Sequence, residues 1–276
     1  SINISFSEKC KKLKFQKVKM DKRFNLTQIK VNGMGVEADV QAFFRKQIDF
    51  RIPSSHIEKL NSRDNFSNQV SLVIGGSQGL GSALAQTLSF GGAEVTATFK
   101  NNYFFAKKIF DHLQGYDRKI KFKKLNIENK YEFRKILREK KYNSIYICAT
   151  PKIFSRTDEI FSIDILNTFL MYYVNCMIEI LKFYKNQKKI AIFVPSSITT
   201  KKPVIGLEEY ITAKFCLELL SNKINKISTN FKVFSPRIDR LLTNQTRTFN
   251  QVKNKNIFQL SHKFCAMVSE YLTNEN

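Results

Sequence analysis

The chain is poor in cysteine and in acidic residues, and it has no long apolar run. Its 276 residues include five cysteines, whose spacing matches neither a metal site nor a disulfide framework. No apolar run approaches the ~20 residues that span a bilayer, and the first residues lack the basic and apolar regions of a secretory signal. We therefore expect free thiols, no bound metal, no membrane span and a cytoplasmic location.

Acidic residues number 23 against 46 basic ones, so the net charge is +23. Two local basic runs lie within residues 9–23 and 118–124. The simplest interpretation is a solvated surface in a chain biased towards lysine and asparagine. The other interpretation is an anionic partner, such as an acidic carrier protein, a membrane surface or nucleic acid. Neither zinc-finger spacing nor an aromatic RNA-binding motif accompanies the charge, so nucleic acid is not the expected partner.

Residues 1–65 form a basic N-terminal extension with short alternating stretches. Residues 12–18 alternate between polar and apolar side chains in the manner of a strand. Asn32-Gly33 favours a tight turn between strands at 28–31 and 36–40. A segment of this length suits a small appended sheet better than a large independent domain. Its role does not follow from the sequence.

From residue 66 to residue 276, predicted strands and helices alternate. The predicted strands are Val70–Ile74, Glu94–Phe99, Ile120–Leu125, Ser144–Ala149, Ile190–Val194 and Phe231–Phe234. The predicted helices are Ser82–Phe90, Tyr103–Leu113, Tyr131–Glu139, Ile160–Phe183, Leu207–Ile224 and Ile257–Leu272. This alternation predicts an α/β domain with a doubly wound parallel sheet that is covered on both faces.

A glycine-rich segment, Ile74–Gly81, connects the first of these strands to the first helix. Gly75, Gly79 and Gly81 lack the Cβ atom that would obstruct a tight turn, and backbone amides at a helix start can face a pyrophosphate. Because a strand precedes the turn and a helix follows it, the segment predicts a dinucleotide site.

The end of the second predicted strand indicates which dinucleotide binds. Sites for NAD usually place an acidic residue there to bind the ribose diol. Thr98-Phe99-Lys100 contains no acid, and the lysine is suited to a 2′-phosphate. The sequence therefore favours NADP(H), although Lys100 is also compatible with an ordinary exposed lysine.

Three side chains predict the chemistry. Tyr210 and Lys214 are four residues apart on a predicted helix, so they share a face. A neighbouring ammonium favours the phenolate form of tyrosine, which predicts that Tyr210 exchanges a proton with a substrate oxygen. Ser197, just past the fifth predicted strand, is placed to bind the same oxygen.

In these motifs the chain resembles the short-chain dehydrogenase/reductase family over roughly residues 68–250. The resemblance implies a Rossmann-type sheet of strand order 3-2-1-4-5-6 and the catalytic residues Ser197, Tyr210, Lys214 and Asn175, with Asn167 as a rival for the last role. The helix asparagine would keep a water in a proton relay from the lysine. The cofactor-binding residues that it implies are Gly75, Ser77, Gln78, Gly79, Leu80, Gly81, Lys100, Asn126, Ala149, Lys214 and Thr243.

The chain departs from the family pattern at several positions. Ile74 stands where the family usually has threonine, and Asn126 replaces the aspartate that commonly braces the adenine. Ile147–Thr150 replaces the Asn-Asn-Ala-Gly stretch, and the family's seventh strand is not evident. Residues 40–45 are similar to fusions in which a hot-dog dehydratase-like module precedes a reductase, of which only a remnant would fit.

The resulting prediction is an NADPH-dependent carbonyl reductase. Among family members with this active site, 3-oxoacyl thioesters are a frequent substrate class, and a basic surface suits an acidic acyl carrier protein. The family resemblance also implies a homodimer or homotetramer. Two alternatives remain at this point: a non-catalytic dinucleotide-binding sensor or scaffold, and a nucleic-acid-binding protein with an incidental Rossmann domain.

Overall fold

The computed structural model describes residues 2–6, 12–21, 23, 26–43, 48–61, 65–116, 118, 120–154, 160–187, 189–246 and 255–274. These residues divide into two compact units, the first ending at Ile48 and the second beginning at Asp49. The sequence analysis placed this boundary at residue 65. Helix α1 (Ser54–Asn61) belongs to the second unit because Ile57 and Leu60 are buried in its core.

The first unit contains a four-stranded antiparallel sheet of order β1-β4-β3-β2, which confirms the predicted strands of the extension. Its strands are β1 (Ile2–Phe6), β2 (Lys14–Asp21), β3 (Leu26–Gly33) and β4 (Val36–Phe43). The hairpin turn lies at Met34-Gly35 rather than at Asn32-Gly33, since Gly33 pairs with Val36. Both turn residues have positive φ, 52° and 78°, as the favoured two-residue hairpin turn requires.

The second unit is built on a six-stranded parallel sheet. Its strands are β5 (Val70–Ile74), β6 (Glu94–Phe99), β7 (Ile120–Lys124), β8 (Ser144–Ile147), β9 (Ile190–Phe193) and β11 (Phe231–Phe234). Their order is β11-β9-β8-β5-β6-β7, which confirms the predicted Rossmann order. Two short strands, β10 (Ser196–Ser197) and β12 (Arg237–Ile238), form a separate parallel pair.

Helices cover both faces of this sheet, and each face has its own buried apolar cluster. The helices are α2 (Gly79–Phe90), α3 (Tyr103–Gln114), α4 (Lys130–Arg138), α5 (Ile163–Leu170), α6 (Cys176–Phe183), α7 (Glu208–Ile227) and α8 (Ile257–Thr273). A π-helical turn, Met171–Asn175, joins α5 to α6, and a 3₁₀ turn, Ile198–Thr200, follows β10. The two-sided arrangement is the predicted one.

The continuous helix Ile163–Phe183 corrects one statement of the sequence analysis. Its 21 residues are long and apolar enough to cross a membrane, with a mean hydropathy of 1.2. However, Phe169, Met177 and Ile180 on one side of this helix are buried in the core cluster of the second unit. One third of the apolar stretch is buried in this way, so part of its apolar character serves the core of the second unit.

Candidate active site

The predicted site residues follow the carboxyl ends of the parallel strands. The glycine-rich segment follows β5, Lys100 follows β6 and Ala149 follows β8. Because the strands are parallel, these carboxyl ends lie at one edge of the sheet, where α/β folds bind their ligands. Ser197 lies near this edge in β10, shortly after β9.

The glycine turn is packed too closely to accept side chains. Gly75 has φ +83°, and a Cβ atom there would lie 2.6 Å from the Ala149 nitrogen. A Cβ atom at Gly81 would lie 2.2 Å from the Gly75 carbonyl oxygen. Gln78, the residue before α2, makes no side-chain cap, so no capping side chain occupies the first amides of this helix. A tight turn with open helix-start amides fits a dinucleotide pyrophosphate.

The segment 241–246 lies over this turn. Thr243 Cγ2 would be 3.4 Å from a Cβ atom at Gly79. Asn244 donates a hydrogen bond of 3.0 Å to the Gln78 side chain, and Gln245 Oε1 accepts one of 2.9 Å from the Ile153 amide. Thr243 therefore lies beside the turn. The hydrogen bonds of Asn244 and Gln245 could not be predicted from the sequence, since they join segments far apart in the chain.

A pocket opens beside the turn, between the ends of β5, β6, β7 and β8. Its lining residues are Ile74, Gly75, Thr98, Phe99, Lys100, Leu125, Ile127, Ala149 and Tyr172. Its place beside the pyrophosphate cradle and its apolar walls suit the adenosine half of a dinucleotide. The residues present therefore fit NAD or NADP.

Lys100 is not free at the rim of this pocket. Its Nζ lies 2.7 Å from Glu128 Oε1, and the Tyr172 hydroxyl donates a 3.0 Å hydrogen bond to the same carboxylate oxygen. The hydrogen bond with Glu128 raises the pKa of Lys100, and the bond from Lys100 lowers the pKa of Glu128. Asn126 Oδ1 accepts a hydrogen bond from the Glu128 amide, so this predicted adenine brace holds the turn that carries Glu128.

Ser197, Tyr210 and Lys214 come together in the second unit. Lys214 is 4% exposed, and its Nζ donates a 2.7 Å hydrogen bond to the Pro195 carbonyl oxygen, two residues before Ser197. The same Nζ lies 5.6 Å from the centre of the Tyr210 ring. The Ser197 side chain is near enough to Tyr210 to lower the pKa of its phenol, and Ser197 Oγ accepts a 2.9 Å hydrogen bond from the Thr199 hydroxyl.

Burial governs the charges of this group. Burial raises the pKa of Tyr210, and the hydrogen bond with Ser197 only partly opposes that rise. Burial also lowers the pKa of Lys214 to about 7, against a smaller opposing effect of Cys148 and Glu218. Burial therefore outweighs the expected effect of the ammonium, and the phenol of Tyr210 is protonated at neutral pH, the form that donates a proton.

The residues 69–234 match the family model of the short chain dehydrogenases, which covers more than half of the chain. The chain belongs to the short-chain dehydrogenase family. It is therefore an NAD(P)-dependent oxidoreductase that acts on CH–OH or C=O groups. No curated protein sequence matches the chain significantly.

Solved structures of the same fold include three nucleotide complexes. A short chain dehydrogenase from Burkholderia cenocepacia with NADP is 15% identical, with a TM-score of 0.60 over 75% of this chain and 91% of that one. An alcohol dehydrogenase from Thermococcus sibiricus with 5-hydroxy-NADP is 15% identical, with a TM-score of 0.61 over 72% and 90%. The L-sorbose reductase of Gluconobacter frateurii, with NADPH and L-sorbose, is 13% identical, with a TM-score of 0.64 over 74% and 91%.

The two helix asparagines of this short-chain dehydrogenase are exposed, whereas a tyrosine of the same helix packs against the lysine. Asn175 and its rival Asn167 both lie on the exposed side of their helix. Tyr173 is buried instead, and its ring centre lies 3.4 Å from Lys214 Nζ. The π-helical turn sets this orientation, because its extra residue changes which side chains point inward. The sequence contains no local signal for such a turn.

Glu218, which the sequence analysis did not single out, holds the segment that carries Ser197. Its carboxylate accepts hydrogen bonds of 2.5 Å from Ser196 and 3.0 Å from Thr200. It also binds both ends of the Arg237 guanidinium fork, at 2.9 Å and 2.5 Å. A spacing of four residues from Lys214 places Glu218 on the same helix face, but only the fold reveals its partners.

Substitution of Gly81 by Ala tests the cradle. The added methyl would clash with the Gly75 carbonyl oxygen, so the turn must open. Its backbone amides would then no longer point towards the cofactor phosphates. We expect NADPH to bind about 10- to 100-fold more weakly, the equivalent of one or two charge-assisted hydrogen bonds. Titration of the cofactor fluorescence measures this loss.

The matched control for this substitution is Gly115→Ala, where the nearest atom to an added Cβ lies 3.7 Å away. This variant is expected to bind NADPH as the wild type does. Unchanged NADPH affinity in Gly81→Ala would contradict the assignment of the turn.

Proposed function

We propose that this chain is an NADPH-dependent carbonyl reductase that transfers hydride to a ketone, with Tyr210 as the general acid. The observation that carries the proposal is the buried Lys214, whose Nζ bonds to Pro195 close to Ser197 and lies 5.6 Å from the centre of the Tyr210 ring, in the same unit as the glycine turn. The alternative of a non-catalytic dinucleotide-binding protein is not favoured, because all three groups are retained.

The proposed chemistry assigns one step to each side chain. The reduced nicotinamide, when bound, supplies the hydride that the carbonyl carbon accepts. Ser197 Oγ binds the carbonyl oxygen and stabilises the charge that develops there. Tyr210 donates its proton to that oxygen to complete the alcohol. The Lys214 ammonium then stabilises the phenolate that remains.

Cofactor choice is the second part of the proposal. Lys100 follows β6, and the residues that come directly after this strand, Lys100–Asn102, include no acid. A 2′-phosphate would replace Glu128 as the partner of Lys100. Glu128 therefore competes with the phosphate for the same ammonium, and it weakens the preference for NADPH that Lys100 creates.

This competition predicts opposite effects of two substitutions. Lys100→Met is expected to raise the Kd of NADPH about tenfold or more, because a charge-assisted contact is lost. Glu128→Gln is expected to lower the Kd of NADPH, since Lys100 is released and a negative charge is removed. NADH is the control ligand, because it lacks the 2′-phosphate, and its Kd is expected to change little in Lys100→Met. Equal changes for both cofactors in Lys100→Met would refute the assignment.

The substrate we propose is an apolar ketone, with 3-oxoacyl thioesters as the leading class. Large apolar side chains are exposed in the two segments that follow Ala149 and Ser197. They include Phe154 at 52%, Ile160 at 96%, Val204 at 48% and Ile205 at 94% exposure. Exposed apolar groups in loops beside a catalytic group are suited to cover an acyl chain. The net charge of +23 would favour an acidic acyl carrier protein as the donor of that chain.

The quaternary state and the location complete the proposal. Phe215 and Leu219 are exposed at 47% and 74% on the outer side of α7. An apolar helix face of this kind supports a homo-oligomer. The described cysteines, Cys148, Cys176, Cys216 and Cys265, are free thiols, as suits a cytoplasmic location.

A panel assay tests the proposed activity. NADPH oxidation is followed by absorbance with 3-oxoacyl thioesters of increasing chain length, beside small polar ketones. The proposal expects kcat/KM to rise with chain length, because each buried methylene adds about 0.8 kcal/mol. A preference for the small polar ketones would overturn the substrate class, and no oxidation with any ketone would overturn the reductase assignment.

A further inference from the structure

The Lys214 ammonium lies on the face of a buried tyrosine. Lys214 Nζ is 3.4 Å from the centre of the Tyr173 ring, and Tyr173 is 2% exposed. A cation over an aromatic face is attracted by the negative charge of the ring, and the attraction grows when both groups are shielded from water. This contact joins α7 to the π-helical turn.

The other groups around Lys214 do not replace that attraction. The Pro195 carbonyl accepts one hydrogen bond, and the Tyr210 ring is more distant, at 5.6 Å. Cys148 and Glu218 favour the ammonium electrostatically, but the Glu218 carboxylate is bound to Ser196, Thr200 and Arg237. Among the described residues, no carboxylate forms an ion pair with Lys214.

Tyr173 is held in place from two sides. Its hydroxyl lies 2.5 Å from the Thr150 hydroxyl. Its ring stacks on Phe169, with ring centres 5.9 Å apart and an interplanar angle of 18°. Its orientation is therefore fixed by Thr150 and Phe169, and the ring face is presented to Lys214.

We propose that Tyr173 is a positioning residue whose ring face keeps Lys214 in its ammonium form beside Tyr210. The proposal rests on the proposed function, since the ammonium matters there because it stabilises the phenolate of Tyr210. The ring acts through its charge distribution, and the Tyr173 hydroxyl serves to orient it.

A series of residues at position 173 tests the ring without changing its size. Phe keeps the aromatic face and removes the hydroxyl, whereas 3,4,5-trifluorophenylalanine keeps the shape and withdraws the negative charge from the face. Thr150→Val is the matched control, because it removes the hydrogen bond from the other side. Thermal unfolding confirms that each variant is folded.

The first measurement is the titration of Lys214 itself, in protein labelled with ¹³C at lysine Cε and without any substrate. The Lys214→Met spectrum assigns its resonance. Loss of a cation–π contact is expected to lower the midpoint by about one pH unit in the fluorinated variant. The Phe and Val variants are expected to titrate as the wild type does. An unchanged midpoint with the fluorinated ring, or an equal shift with Phe, would overturn the proposal.

The second measurement is the pH profile of alcohol oxidation with NADP⁺, in which Tyr210 must be a phenolate. Loss of the ammonium raises the pKa of Tyr210, so the acid limb is expected to move to higher pH with the fluorinated ring alone. The two measurements separate two failures. If no alcohol or ketone reacts, the proposed function fails, while the lysine titration still decides whether the ring holds the ammonium.

Discussion

Tyr210→Phe is expected to lower kcat for ketone reduction by about 10³-fold, the usual contribution of a positioned general acid. The phenol is the proton donor, and phenylalanine leaves the alkoxide oxygen without one. Because the ring and its edge contacts with Phe169 and Tyr173 remain, the fold is expected to survive. Steady-state assays of NADPH oxidation measure the loss.

Cofactor affinity serves as the control for Tyr210→Phe. The hydroxyl is remote in sequence from the glycine turn and is not needed to hold a pyrophosphate, so the Kd of NADPH is expected to stay within about twofold, close to the experimental spread for independent sites. A variant that keeps the wild-type kcat would remove Tyr210 from the chemistry. A variant that loses NADPH binding would instead show that the substitution disturbed the cofactor site.

Lys214→Met is expected to abolish reduction and to stabilise the folded chain. The amine has a pKa of about 7 in the folded state against 10.5 for the free group. The unfolded state therefore binds more protons between these pH values, and the wild type gains stability as the pH rises from 7 to 10.5. Below pH 7 the wild type carries the full cost of a buried ammonium. Methionine has a similar volume and no charge, so it removes that cost.

The measurement is thermal unfolding of both proteins across this pH range. At pH 6 we expect Tm of Lys214→Met to exceed that of the wild type by about 5 °C. The difference is expected to shrink towards pH 10, where both side chains are uncharged. A lower Tm for the variant at pH 6 would mean that the contacts with Pro195 and Tyr173 outweigh the cost of burial.

Local spacing predicted several parts of this site correctly. The strand, glycine turn and helix around residues 70–90 form a unit whose pattern reveals both its structure and its nucleotide chemistry, since tight turns restrict residue type. Tyr210 and Lys214 share a helix face because they are four residues apart. The alternation of strands and helices predicted the parallel sheet with both faces covered, and the family resemblance supplied the strand order.

Other features depended on contacts between distant segments. Asn175 has the neighbours expected of a relay asparagine, while in the fold it is exposed and Tyr173 of the same π-helical turn lies against the lysine. The sequence near Lys100 offers no partner for its charge. In the fold, Glu128 and Tyr172, which are 28 and 72 residues further along the chain, contact its Nζ. Spacing along a helix or strand does not report such partners.

The sequence by itself determined which chemical groups the chain carries and which element holds each of them. The tertiary structure alone decided their protonation and their partners, because burial and the approach of remote segments set the local electrostatics. The sequence thus identifies the phenol of Tyr210 and the amine of Lys214. The raised pKa of Tyr210 and the lowered pKa of Lys214 exist only in the folded chain.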